Sequence, residues 1–175
     1  MIGSETQLVY LLGLATVFFL CGFWLLPGGV LALRRRANGE MQVDVRAGYS
    51  PATLYRLLHS YGPEGRASFK RMLVADMVFP AVYAAFLVTL ADLAAASNPA
   101  SNNAASAARV AAIAAAGWDY IENGLLLFVL HRFPACQSAA ARLAGLSTSA
   151  KMLSFMIALG SLAAVYPGLS HDRLA

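Results

Sequence analysis

The sequence predicts an all-α, polytopic membrane protein: a four-transmembrane-helix bundle with a short amphipathic cytoplasmic helix between spans 1 and 2. Composition is the first reason. Of 175 residues, 59% are hydrophobic and 13% charged, whereas a soluble domain carries about a quarter charged residues. Mean hydropathy is +0.60. The second reason is that the apolar residues gather into four runs near the length of about 20 that a bilayer crossing requires. The third is that Lys and Arg fall mostly in two connecting segments. Together these exclude a disordered chain, a disulfide scaffold and an ordinary soluble enzyme.

The first span, 8–33, holds no charged residue. Glu5 before it and Arg34-Arg35-Arg36 after it mark a retained helix, not a cleaved signal peptide. Pro27-Gly28-Gly29 predict a bend near its end. The loop 34–71 follows. Within it Ser50 offers an N-cap and Pro51 a first helical residue. Leu54, Leu57, Leu58 and Tyr61 then share one face, as in a helix lying on the membrane surface. Gly62-Pro63 stops that helix, and Glu64-Gly65-Arg66 turns the chain toward the second span. Two readings of the turn stay open: a cap that presents Arg66 inward to an anion or carboxylate, and a plain stop with a headgroup-binding arginine.

The second span covers 72–96 and contains Asp76, Pro80 and Asp92. A polar connector, Ser97 to Asn103, carries no N-glycosylation acceptor. In the third span, 105–130, Ala108, Ala112 and Ala116 are spaced for close helix packing. The fourth, 147–166, is followed by a stop at Pro167-Gly168. The chain reads as a single integral membrane domain over 1–175, with no internal repeat.

Basic residues orient it. Eight lie in the loop 34–71, three lie between spans 3 and 4 or at the start of span 4 (Arg132, Arg142 and Lys151), and only Arg109 and Arg173 lie elsewhere. The bias predicts a multi-pass protein of the cell membrane, an inner membrane, with cytoplasmic basic loops and both termini outside. The net charge of +4 expresses that rule, so no nucleic-acid partner is expected. Cys21 and Cys136 fall at different depths and suggest no disulfide framework.

An ionisable side chain deep in a spanning helix costs about 2.5–3.5 kcal/mol on insertion scales and so needs a reason. Asp92 reads as interfacial. Asp76 shares a face with Phe79, Pro80 and Tyr83. Asp119, Glu122 and Asn123 form a polar stripe on an otherwise apolar helix, flanked by Trp118 and Tyr120. Thr148 and Lys151 share a face at the start of span 4. The matched depths predict one acidic pocket in the cytoplasmic half, open toward the cytoplasm and lined by Asp76, Asp119, Glu122 and Lys151.

No metal or other cofactor is expected, because His59, His131 and His171 are scattered and no zinc-type or phosphate-loop spacing occurs. What remains is carboxylate acid–base chemistry in a low-dielectric site. The catalytic candidates are Asp76, Asp119 and Glu122. Tyr61, Arg66, Tyr83, Trp118, Asn123 and Lys151 are the substrate-binding candidates.

The helix count and the stretch from Asp76 to Phe79-Pro80 followed by Tyr83 resemble the small emopamil-binding and sigma-2-receptor type of membrane protein. Such proteins place acids on the helices of a small bundle and act on or bind sterol-like molecules. The rest of the sequence departs from that pattern, and no residue role carries over. The leading expectation is a membrane-embedded enzyme of isomerase, cyclase or hydrolase type acting on a lipid or isoprenoid-like substrate. Two others stay open: a proton-coupled transporter working as a homodimer, and a non-catalytic subunit or assembly factor of a membrane complex.

Overall fold

The computed structural model describes residues 4–25, 28–97 and 101–165. All regular structure among them is helical: α1 (Ser4–Leu25), α2 (Val30–Arg36), α3 (Pro51–Asp76), α4 (Phe79–Ser97), α5 (Asn102–Arg132) and α6 (Ser138–Val165), with one 3-10 turn at Val43–Val45. Four helical stretches are long and apolar enough to cross a membrane. Pro27, the centre of the Asn98-Pro99-Ala100 connector, and Pro167-Gly168, His171 and Arg173 lie outside the described residues.

α5 is the central helix. It packs most extensively along α6 and next along α4, while α1 leans mainly on α4 and scarcely meets α6. At 31 residues α5 is about 46 Å long. Its inward face is built of Ala105, Ala108, Ala112 and Ala115, all fully buried. Small side chains let backbones approach closely, which is how helices gain packing energy where lipid offers no hydrophobic drive. The outward faces carry Leu11, Leu14, Phe18, Ile113, Leu153 and Met156, all exposed. Apolar outside and small or polar inside is the arrangement that a lipid surround favours.

A second apolar core sits at the arginine-rich end. Val30, Leu33, Leu54, Leu57, Leu58, Tyr61, Phe69 and Leu73 pack there against Leu126 and Val129 of α5 and Ala141 and Ala144 of α6. The loop 34–71 thus differs from the helix expected on the membrane surface, because its apolar face is buried inside the protein. An amphipathic stripe reads alike whether lipid or protein covers it, so the pattern alone does not choose.

The N-cap falls as expected, with the Thr53 amide donating to Ser50 Oγ at 3.2 Å. Beyond it, the expected Glu64–Arg66 turn is helical. Gly62 alone leaves the helix, at φ 63 and ψ 180, with Pro63 next. That backbone region is essentially closed to other residues. α3 is therefore two helices joined at a glycine kink.

The expected span 72–96 is also divided, with a break at Met77-Val78. Pro80 cannot donate to the Asp76 carbonyl. The chain ends one helix there and starts another, which leaves Asp76 at a helix terminus inside the protein. α6 begins at Ser138 rather than 147, since an apolar run broken by Arg142 and Gly145 does not register the first two and a half turns, which are fully helical.

Candidate functional site

Along α5, the fully buried alanines of one core give way to Asp119, Glu122 and Asn123, and then to Leu126 and Val129 of the other core. α6 repeats the order in reverse: Ala144, then Ser147, Thr148 and Lys151, then Ala158 and Leu162. A single polar layer therefore lies between two apolar cores, in mid-helix.

Lys151 organises this layer. Its ammonium lies 2.7 Å from Glu122 Oε2 and donates to Asp119 Oδ1 at 3.1 Å. It also donates to the Asp44 carbonyl at 3.3 Å. Tyr83 donates to the other Asp119 oxygen at 3.2 Å. Thr148 donates to Glu122 Oε1. Asp76 accepts from Asn123 Nδ2 at 2.8 Å, which ties the end of α3 to α5. A lysine here points inward, because two carboxylates offset more of its desolvation than snorkelling would.

A cavity of about 340 Å³ opens beside the layer. Asp76, Tyr83, Asp119 and Lys151 meet it from α3, α4, α5 and α6. Leu20, Phe23 and Trp24 of α1 face Met152 and Phe155 of α6 across it. Because α1 and α6 scarcely meet, their facing side chains flank a gap between two outer helices. A mostly apolar hollow with a few convergent polar groups is the usual form of a small-molecule site.

The candidate residues thus divide. Asp76, Asp119, Tyr83 and Lys151 line the cavity, and Glu122 and Asn123 stand directly behind it in the same network. The other three lie elsewhere. Trp118 is 40% exposed on the outer face of α5. Tyr61 packs edge-on against Phe69 in the core at the arginine-rich end. Arg66 donates to the Leu58 carbonyl at 3.0 Å and lies 4.4 Å over the Phe133 ring, so it caps the kink in α3 and does not face the carboxylates. Asp92, read as interfacial, pairs with Arg109 at 2.6 Å near the opposite end of the bundle.

Comparison of the chain with protein-family models, curated proteins and solved structures finds no match.

Three cavity residues come from the loop 37–50, which carries no periodic signal in the sequence: Gln42, Asp44 and Val45. Gln42 Nε2 donates to Asp44 Oδ2 at 2.9 Å. The only local hint is an acid set between two valines, Val43 and Val45. The loop is pinned at both ends. Arg46 donates to the Met41 carbonyl at 2.7 Å, and Glu40 is clasped by Arg56 and Arg46. The Arg56 hydrogen bond holds the Glu40 carboxyl below its usual range. Farther on, Ser149 donates to the Ala47 carbonyl at 2.9 Å.

Burial, and next the Glu122 charge, push the Asp44 carboxyl up to about 7. A carboxyl that binds its proton more tightly when folded lends stability that is full below the unfolded-state range. That contribution fades as pH rises through 7. The wild type is therefore expected to lose stability between pH 4 and 8 relative to Asp44→Asn, in parallel unfolding titrations. Superimposable pH profiles for the two proteins would contradict this environment for Asp44.

Among the described residues, no three His, Cys, Asp or Glu side chains are grouped to hold a metal ion. The chemistry at hand is that of carboxylates, one ammonium and one phenol in a hollow walled by hydrocarbon and aromatic rings.

Proposed function

We propose that this chain is a membrane-embedded enzyme performing redox-neutral acid–base chemistry, an isomerisation or cyclisation, on a lipophilic substrate. The observation that carries the reading is the cavity in which Asp76, Asp119 and Lys151 meet an apolar chamber flanked by α1 and α6. Substrate enters from the bilayer through that gap. The arginine-rich end faces the cytoplasm and both termini lie outside, as the distribution of basic residues suggests.

The roles follow from which atoms are already engaged. Both oxygens of Asp119 are held, by Lys151 and Tyr83, and both of Glu122 lie against Lys151 and Thr148. These groups set the field. Asp76 has one oxygen held by Asn123, and it lines the cavity, so it is the group placed to exchange a proton with substrate. It protonates one carbon of an alkene, the cation forms on the other, and the carbon beyond that cation returns a proton to the Asp76 carboxylate, so the double bond moves by one position and no co-reactant is needed. The rings of Phe79 and Phe155 beside it stabilise the intervening carbocation through their faces.

The test works on a mixture of lipids, with no single substrate chosen in advance. Membranes holding the protein are incubated with lipid extract in heavy water, and lipids are screened for carbon-bound deuterium by mass spectrometry. Wild type is expected to label one lipid class, and Asp76→Asn to label it at least about 100-fold more slowly, the usual share of a general acid–base group. Equal labelling by the two proteins, or no labelling by either, would overturn the reading.

A further inference from the structure

The arginine-rich end of the bundle holds a second cavity of about 170 Å³. Phe23 of α1, the turn at Gly28, and Ser68, Arg71, Met72 and Ala75 of α3 line it. Ser68, Arg71 and Ala75 are spaced three and four apart, so they share one face of α3. The polar pair stands at the boundary of the expected span 72–96, and Ala75 lies about 6 Å deeper along the helix. The cavity is therefore polar at one end and apolar along Phe23, Met72 and Ala75.

Several guanidinium groups at this end are engaged elsewhere. Arg36, Arg46 and Arg56 are matched by Glu64 or Glu40, and Arg66 lies over Phe133. Arg71 donates to Ser68 Oγ at 3.0 Å, and among the described residues no carboxylate pairs with it. A guanidinium has five N–H donors and a hydroxyl one. Ser68 accepts from Arg71, which leaves its own proton to give. Gly28 keeps the hollow open beside them. It holds φ 86, a backbone that glycine adopts freely, and a Cβ there would come to 3.0 Å from Ser68 Oγ.

We propose that this cavity seats the phosphate monoester head of a membrane amphiphile, with the first carbons of its chain along Phe23, Met72 and Ala75. The arginine fork meets two phosphate oxygens at once, and the Ser68 hydroxyl reaches a third. A carboxylate has only two oxygens, and the fork alone satisfies it. A zwitterionic head brings a cation for which no acid stands beside Arg71. The volume falls short of the roughly 300–1,000 Å³ of sites that enclose a drug-sized molecule, which suits a head group whose chain continues into the bilayer. The headgroup contact that is one reading of Arg66 thus belongs to Arg71. This rests on a bilayer around the bundle and not on the chemistry at Asp76.

The test titrates the protein, in micelles of a zwitterionic detergent, with dioleoylphosphatidic acid and counts the lipid retained per chain by native mass spectrometry. Wild type is expected to retain one phosphatidic acid. Arg71→Gln should need about tenfold more lipid for half-occupancy, the ratio that about 1.4 kcal/mol supplies. Ser68→Ala keeps the charge and should need about threefold more, the share of one hydrogen bond. Arg35→Gln removes the same charge from an exposed position outside the cavity and should match wild type. Equal weakening in Arg35→Gln and Arg71→Gln would mean a diffuse basic surface and overturn the proposal, as would no weakening in either cavity variant. Displacement of the lipid by equimolar inorganic phosphate, or equal retention of phosphatidylcholine, would overturn it too. None of these outcomes bears on deuterium labelling through Asp76, so the two proposals fail separately.

Discussion

Replacing Lys151 by methionine is expected to destabilise the protein by about 3–5 kcal/mol, the range for removing one partner of a buried ion pair. The lysine is 9% exposed and its partners Asp119 and Glu122 are 4% and 0%, so water does not take over its role. Without the ammonium, two carboxyls three residues apart on α5 share the interior of the bundle with Asp44 and Asp76. The defect should be relieved by neutralising an acid at the same time. Lys151→Met with Glu122→Gln is expected to cost clearly less than the sum of the two single changes, a coupling that a double-mutant cycle reads directly. Unfolding by denaturing detergent in mixed micelles gives the three free energies. A cost below about 0.5 kcal/mol for Lys151→Met, the usual scatter of a surface change, would mean that the lysine is not the centre of this layer.

How much of this is legible from sequence depends on whether the signal is local. Asp119, Glu122 and Asn123 are legible because three polar groups on one face of an apolar helix have no place in lipid. Their spacing alone puts them together. Lys151 is legible as a candidate partner, but its direction is not, since a lysine near a helix end serves as readily as an anchor. Packing decides it: α6 begins nine residues earlier than its apolar run, which carries Lys151 from the expected boundary to the middle of the helix.

The loop 37–50 is illegible for the opposite reason. It has no period, and its position is set by contacts with α6 a hundred residues away. Gln42 and Asp44 reach the cavity only because the loop is laid across α6, and no pattern near them records that. The same holds for the helix at 51–61. Its apolar stripe is plain in the sequence, but whether lipid or Leu126 and Val129 would cover it is settled by the rest of the chain.

The seat of that loop can be tested at one atom. Gly145 of α6 lies under the Tyr49 carbonyl, and a Cβ on residue 145 would land on that oxygen. Gly160, on the same helix, has nothing within 4 Å of the corresponding position. Gly145→Ala and Gly160→Ala therefore make the same chemical change in one helix and should differ in sign. Overpacking against backbone costs about 1–3 kcal/mol, while alanine for glycine in an open helical position gains up to about 1 kcal/mol. Gly145→Ala must push Tyr49 outward, and with it Gly48, Ala47 and the Lys151-to-Asp44 hydrogen bond. Tryptic cleavage after Arg46 should then speed up in Gly145→Ala and not in Gly160→Ala. The cavity wall formed by Gln42, Asp44 and Val45 would be disturbed too. Equal stability and equal cleavage for the two variants would show that the loop does not rest on α6, and the cavity would then lose the wall that Gln42, Asp44 and Val45 form.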